Sequence, residues 1–168
     1  MRPLGEGDEA LYCHLYTDPE MMRHIGTPLS AEVARRSFHK ACGLAAQPAP
    51  AMQLWIITEH GSPTGLGLLA RVRHGDAVDA AEMGIMLVTE GQGRGFAAEA
   101  LAALTDRLFA QPEIRMLWTS QSPGNAAMVR LMLRLGFERT DAPDGGAAAW
   151  RWQIARARWE ARQSGSPA

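Results

Sequence analysis

An apolar strand is joined to an amphipathic helix by a segment with glycine at every second position of its centre: Val88-Thr89-Glu90-Gly91-Gln92-Gly93-Arg94-Gly95-Phe96-Ala97-Ala98. Glycine lets a backbone turn tightly and leaves room for a ligand to approach it. The helix that follows presents its first free N–H groups together with the positive end of its dipole. Such a turn holds a phosphate or pyrophosphate without a basic side chain. The segment predicts a phosphate-bearing ligand, and the alternative is a tight turn without a ligand.

The same turn also fits a second phosphate-binding motif, the dinucleotide fingerprint G-x-G-x-x-A, over residues 93–98. That fingerprint follows the first strand of a parallel βαβ unit and has an acidic residue about 20 positions further on. Here the turn follows the third of three successive predicted strands, and position 118 is Trp. The context therefore argues against a dinucleotide. No G-K-[S/T] follows the turn, which excludes a P-loop.

The chain before the turn is predicted to begin with a short strand ending at Leu4 and to continue with helices. Asp18 and Ser30 are typical N-caps, and Asp18 is followed by proline at the first helical position. Three strands then follow with short turns between them, over residues 52–59, 64–73 and 80–88. Strands joined in this way form an antiparallel meander.

The chain after the turn alternates between helix and strand. A helix from about Gly93 to Phe109 keeps its apolar residues on one face, and residues 116–120 form a strand. Asn125 and Gly136 are typical of the start and the end of the next helix. A hairpin across residues 144–146 leads to a last strand whose large apolar side chains share one face, namely Trp150, Trp152 and Ile154.

Length and composition fit one α/β domain over residues 1–160, followed by a polar tail over residues 161–168. The chain has 168 residues, of which 46% are hydrophobic, and single domains span roughly 100–200 residues. No run approaches the roughly 20 apolar residues of a membrane span, and residues 1–8 lack a signal-peptide core. We therefore expect a cytoplasmic protein that does not bind membranes.

Charge and metal-binding residues exclude two further classes of function. A net charge of -1 removes the broad electrostatic argument for nucleic acid as a partner. The two cysteines make neither a disulfide framework nor a metal cluster, and the five histidines are scattered without metal-ligand spacing. We therefore predict no metal site.

Gln92-x-x-Gly95-x-Ala97, after a strand and at the start of a long helix, resembles the acyl-CoA signature of the GCN5-related N-acetyltransferase (GNAT) superfamily. Further motifs in the same order are similar to its ribosomal-protein-alanine N-acetyltransferase branch: Arg2-Pro3-Leu4 with Asp8, Asp18-Pro19-Glu20, Ile25-Gly26, Glu82-Met83-Gly84-Ile85, Gly95 to Leu101, Asn125 and Leu135-Gly136-Phe137. The resemblance covers nearly the whole chain. It implies one GNAT-like domain with a mixed, mostly antiparallel sheet that is splayed at the cofactor site and has helices on both faces.

The resemblance also implies acetyl-CoA as the cofactor and a set of residues that hold it. The pyrophosphate would lie against the backbone of Gln92, Gly93, Arg94, Gly95, Phe96 and Ala97. The pantetheine arm would pair with the main chain of Leu87 and Val88. Asn125 would contact the cofactor from the next helix, a role compatible with capping that helix.

Transfer of an acetyl group to an amine needs a neutral amine, which puts a base at the acceptor site. Glu82 lies on the strand before the glycine turn, where related enzymes often place a catalytic glutamate, so the resemblance implies that it is the general base. A solvent-facing or structurally paired carboxylate is the alternative. Family members often carry a tyrosine proton donor four residues before the final Gly-Phe pair, where this chain has Met132. The branch often has a serine three residues after the asparagine, where this chain has Met128.

Three functions remain open on the sequence. The first is direct transfer of acetyl from acetyl-CoA to a primary amine, either a protein N-terminus or a small molecule. The second is a catalytically weak acyl-CoA-binding or sensing module, which the two methionines favour. The third is a structural domain without a ligand. The exposed hairpin edge near Trp150 is also a place where a second copy could pair to give a homodimer.

Overall fold

Strands from both halves of the chain assemble into one seven-stranded sheet in the order β1-β2-β3-β4-β5-β7-β6. The structure is a computed structural model that describes residues 1–75, 78–140 and 150–165. The strands are β1 (Arg2–Pro3), β2 (Met52–Thr58), β3 (Gly65–Val72), β4 (Ala80–Leu87), β5 (Met116–Gln121), β6 (Glu138–Thr140) and β7 (Trp150–Ala155). The helices are α1 (Glu9–Thr17), α2 (Pro19–Met22), α3 (Ala31–Ala45), α4 (Phe96–Phe109), α5 (Ala126–Leu135) and α6 (Arg156–Ser164).

Pairing within the sheet confirms the predicted mixed, mostly antiparallel topology. Strands β2 to β4 form the predicted antiparallel meander, and β1 pairs antiparallel with β2. Strand β4 pairs with β5 in parallel, and β7 lies antiparallel between β5 and β6. The predicted turn at residues 144–146 lies outside the described residues. Helix α6 continues to Ser164, beyond residue 160 at which the predicted domain ends.

Local signals in the sequence explain where most helices begin and end. The side chain of Asp18 accepts hydrogen bonds from the first turn of α2, Ser30 caps α3, and Asn125 caps α5. Gly136 ends α5 with a φ of +85°. One predicted boundary was wrong: α4 begins at Phe96 rather than near Gly93, because the glycines before it adopt positive φ angles that an α-helix excludes.

Two hydrophobic clusters cover opposite faces of the sheet, as helices on both faces require. On one face, α4, α5 and α6 pack against inward residues such as Met83, Leu117 and Ile154. On the other face, α1 and α3 pack against Ile56 and Leu68. Among the described residues, no helix has both the length and the apolar character that crossing a membrane requires.

Candidate active site

A fork between β4 and β5 opens the sheet at its centre. The two strands pair over only three positions, which end at Glu82 opposite Trp118. Beyond this point β4 stays paired with β3 as far as Leu87, and β5 stays paired with β7 as far as Gln121. Each strand is thus held by its outer neighbour while the inner edges diverge. The fork is the predicted splay of the sheet.

The main chain of β4 presents outward-facing N–H and C=O groups to this fork. The N–H of Val88 donates to the carbonyl of Leu66 at 3.0 Å, which fixes the alternation of the antiparallel β3–β4 ladder. By that alternation the N–H and C=O groups of Ile85 and Leu87 point away from β3 and into the fork. The carbonyl of Val88 accepts the N–H of Gly91 at 2.9 Å, so both main-chain groups of Val88 are already used.

The glycine turn ends in five consecutive main-chain N–H groups, from Gly93 to Ala97, that donate no hydrogen bond to any described residue. The first intrahelical bonds of α4 start at Ala98 and Glu99, whose N–H groups both donate to the carbonyl of Gly95. Unpaired N–H groups at a helix start, together with the helix dipole, attract an anion.

Glycine is required at two positions of this turn. Gly93 has a φ of +69° and Gly95 a φ of +88°, both in the left-handed region that other L-residues adopt only with strain. These two residues turn the chain from β4 into α4 and bring the N–H groups into one run. The sequence pattern of alternating glycines reflects this backbone geometry.

Side chains of the turn are held by their neighbours. The amide Nε2 of Gln92 donates to the carbonyl of Leu87 at 3.0 Å, tying the turn to the end of β4. The guanidinium of Arg94 forms an ion pair with Glu59 at 2.7 Å and stacks over the ring of Phe96 at 4.9 Å. Arg94 is therefore partly neutralised, and the anion-binding character of the turn rests on its main chain.

A cleft along the fork divides into two chambers. The chamber next to the glycine turn has a volume of about 590 Å³, and its wall includes Leu87, Gln92, Gly93 and Ala97. The chamber next to Glu82 has a volume of about 560 Å³. Both share a wall formed by Arg23, His24, Ile25, Ile85, Met86, Asn125 and Met128. We name them the turn chamber and the glutamate chamber.

The glutamate chamber carries most of the polar side chains of the cleft. Apart from the wall shared with the turn chamber, its uncharged polar groups come from Tyr16, Thr119, Ser120, Gln121 and Ser122. Burial raises the pKa of Tyr16 above its ordinary value, and the neighbouring Tyr12 raises it further. The Tyr16 hydroxyl therefore stays protonated at neutral pH. The chamber offers hydrogen-bond donors and acceptors around a single glutamate.

Glu82 lies at the point where the fork opens. Its neighbours Ala81 and Met83 are buried on the α4 side, so its own side chain is on the face covered by the N-terminal helices. The side chain is 26% exposed, and its Oε2 lies 2.6 Å from Nε2 of His74. His74 was not predicted as a site residue, because a histidine eight positions away from a glutamate gives no signal until the strand register is known.

The methionines at the two expected donor positions have different environments. Met132 is fully buried in the core beneath the sheet. Met128 is half-buried and belongs to the wall shared by both chambers. Two serines, Ser120 and Ser122, line the glutamate chamber and carry hydroxyls that can donate a proton where these methionines cannot.

The N-terminal region contributes Tyr16 of α1 to the glutamate chamber. Its neighbours Tyr12 and Met22 are buried in the core, as is Trp55 of β2. Arg23 and His24, just after α2, line both chambers and were missed, because no local pattern marks a loop residue that faces a cleft. The described residues contain no cluster of three or more metal-ligating side chains.

Comparison with known proteins agrees with this architecture. A sequence model of the acetyltransferase (GNAT) domain family matches residues 1–138. No curated protein gives a significant match to the chain. Among solved structures, spermidine N-acetyltransferase from Vibrio cholerae, in complex with CoA and spermine, has a TM-score of 0.78 at 18% identity and covers 95% of this chain and 96% of its own.

Two further solved structures share the fold. An acetyltransferase from Agrobacterium tumefaciens has a TM-score of 0.76 at 23% identity, with 91% of this chain and 88% of that chain covered. The aminoglycoside acetyltransferase AAC(6')-Ib, in complex with coenzyme A, has a TM-score of 0.77 at 19% identity, with 96% and 97% covered. The family match identifies an acetyltransferase domain with the GNAT fold. The chain belongs to the GNAT acetyltransferase family, whose cofactor is acetyl-CoA.

Proposed function

We propose that this protein transfers the acetyl group of acetyl-CoA directly to a primary amine, which is a small molecule or the N-terminus of a peptide. The observation that carries the proposal is the run of five N–H groups from Gly93 to Ala97, at the edge of the turn chamber, that have no partner in the described part of the chain. This run lies at one end of the cleft. Glu82 lies in the same cleft, at the point where the fork opens.

The residues of the cleft fit acetyl-CoA. A pyrophosphate needs N–H donors, which the turn supplies without a basic side chain. An extended pantetheine arm pairs with a free strand edge, which both main-chain groups of Ile85 and the N–H of Leu87 supply, while the carbonyl of Leu87 already accepts the side chain of Gln92. Val88 contributes shape rather than hydrogen bonds. A turn chamber of about 590 Å³ lies within the usual range for ligand sites. Asn125 lies between the two chambers.

Bound acetyl-CoA supplies the acetyl group as a thioester. The chain itself must orient the amine and remove a proton from it, because a lysine-like amine has a pKa near 10.4 and is almost wholly protonated at pH 7. Glu82 is the carboxylate that lines the glutamate chamber, and it takes this proton. The protonated hydroxyls of Tyr16, Ser120 and Ser122 supply hydrogen bonds to the acceptor and to the departing thiolate.

Thermal unfolding with and without acetyl-CoA tests the cofactor half of the proposal, with NADH and ATP as controls. At a hundred times its dissociation constant, acetyl-CoA should stabilise the protein by about 2.7 kcal/mol, or roughly 5 to 10 °C. Release of free thiol with a panel of amines then tests the transfer. A shift without turnover on any amine would favour the acyl-CoA-sensing function. No shift at millimolar acetyl-CoA would exclude both functions.

A further inference from the structure

Glu82, the proposed general base, has a hydrogen-bond partner that the resemblance to the family did not suggest. Nε2 of His74 lies 2.6 Å from Oε2 of Glu82, a short distance for a charge-assisted hydrogen bond. An ionised carboxylate only accepts hydrogen bonds, so the imidazole N–H is the donor. The other oxygen, Oε1, accepts no hydrogen bond from the described residues.

His74 itself is fixed on the surface next to the fork. It follows β3, and its ring lies 5.2 Å from the ring of Trp118, with 36° between the two planes. Trp118 is the residue of β5 that pairs with Glu82, and the guanidinium of Arg151 covers its ring at 3.8 Å. The imidazole thus rests on the strand that forms the other side of the fork, although its side chain is 56% exposed.

We propose that His74 is a positioning residue for acetyl transfer, holding one oxygen of Glu82 so that the other meets the acceptor amine. The inference rests on the proposed function. In the transfer, an N–H bond of the acceptor ammonium breaks and an O–H bond forms at Oε1. The electron pair of the broken bond stays on nitrogen as the lone pair that attacks the acetyl carbonyl. A C–N bond forms as the C–S bond of the thioester breaks, and the second proton released from nitrogen goes to the departing thiolate.

Orientation is what the hydrogen bond contributes. A donor to a carboxylate favours its ionised form and so does not make it a stronger base. It does remove the freedom of a side chain that is 26% exposed and otherwise free to turn toward water. A base helps only when it lies within hydrogen-bond reach of the proton it removes. Losing His74 should therefore matter most for amines that must be deprotonated by Glu82.

The test compares His74→Ala and His74→Gln with the wild type on two acceptors that differ in basicity. Nα-acetyl-lysinamide presents an amine with a pKa near 10.4, and alaninamide presents an α-amine with a pKa near 8. We expect His74→Ala to lower kcat roughly tenfold for the first acceptor, the effect of losing one hydrogen bond, and less for the second. The KM for acetyl-CoA should not change. His74→Gln, whose amide can still donate to Oε2, should recover most of the rate.

The matched control is His39→Ala, because His39 also lies near a glutamate, with Nε2 3.7 Å from Oε2 of Glu9, but away from the cleft. A second readout needs no turnover: in the protein alone, Glu82→Gln should move the ¹⁵N resonance of His74 Nε2. Equal losses on both acceptors without recovery by His74→Gln, or an unmoved resonance, would overturn the proposal. If the wild type acetylates neither amine, the proposed function fails for these acceptors, and the resonance alone decides whether His74 holds Glu82.

Discussion

The two chambers of the cleft are built in different ways. The turn chamber uses main-chain N–H groups from one short run, Gly93 to Ala97, and its geometry is set by two glycines. The glutamate chamber uses side chains from α1, the segment after α2, β4 and β5. A site made of backbone depends on local conformation, whereas a site made of side chains depends on strand register and helix packing. Changes in the two chambers should therefore have separable effects.

Glu82→Gln should give the largest effect and should act on one chamber only. Loss of a general base typically costs 10²- to 10⁴-fold in rate, so kcat/KM for an alkylamine should fall by at least about 100-fold. The dissociation constant for acetyl-CoA, measured by isothermal titration calorimetry, should not change. Glu138→Gln is the control, since Glu138 is an ion-paired strand carboxylate outside both chambers. Full activity of Glu82→Gln would leave Glu82 as a structural carboxylate.

Gly95→Ala should affect the turn chamber and leave the glutamate chamber unchanged. An L-residue at a φ of +88° is strained by about 1–2 kcal/mol, and relief of that strain moves the unpaired N–H groups. We expect acetyl-CoA to bind about tenfold more weakly. Gly61→Ala provides the matched control, because Gly61 has a φ of +77° with open space around it in the turn after β2. Both variants should lose similar stability, and equal affinity for acetyl-CoA in the two would contradict a ligand role for the turn.

This difference between the chambers also explains what the sequence could predict. Patterns within a few residues predicted the meander, the N-caps at Asp18, Ser30 and Asn125, and the helix end at Gly136. The structure confirms all of them. The glycine turn was identified for the same reason. Its helix was placed three residues too early, because periodicity does not register the φ angles of Gly93 and Gly95.

Side-chain partners across the sheet could not be predicted in this way. Pairing of His74 with Glu82 depends on the length of the β3–β4 connection and on which face each residue takes. Arg23 and His24 line the cleft because of how the segment after α2 packs, which no local pattern encodes. Only the register of β3 with β4 shows that the main-chain groups of Ile85, and not those of Val88, face the fork.

Asn125→Ala should affect both chambers modestly, since Asn125 lies in their shared wall. Its Oδ1 accepts the N–H of Met128 at 3.1 Å, and loss of an N-cap costs about 1 kcal/mol of stability. Ser30→Ala removes the N-cap of α3 outside the cleft and should cost a similar amount. We expect only Asn125→Ala to weaken acetyl-CoA binding as well, by a few-fold. Urea unfolding measures the loss of stability, and calorimetry measures the acetyl-CoA affinity. Identical affinities of the two variants would mean that Asn125 only caps α5.

Gln121→Met should give the smallest effect, and one of opposite sign. Gln121 is 6% exposed at the end of β5, and neither its Nε2 nor its Oε1 has a partner among the described residues. A buried polar group without a partner costs roughly 1–3 kcal/mol, and methionine fills a similar volume without that cost. We expect a gain of about 1 kcal/mol in the free energy of unfolding, with acetyl-CoA affinity unchanged. Urea denaturation checks the gain, with Gln153→Met on β7 as the control. A loss of stability would mean that the carboxamide of Gln121 is hydrogen-bonded in solution. The buried polar groups of the glutamate chamber would then have hydrogen-bond partners, as those of the surrounding core do.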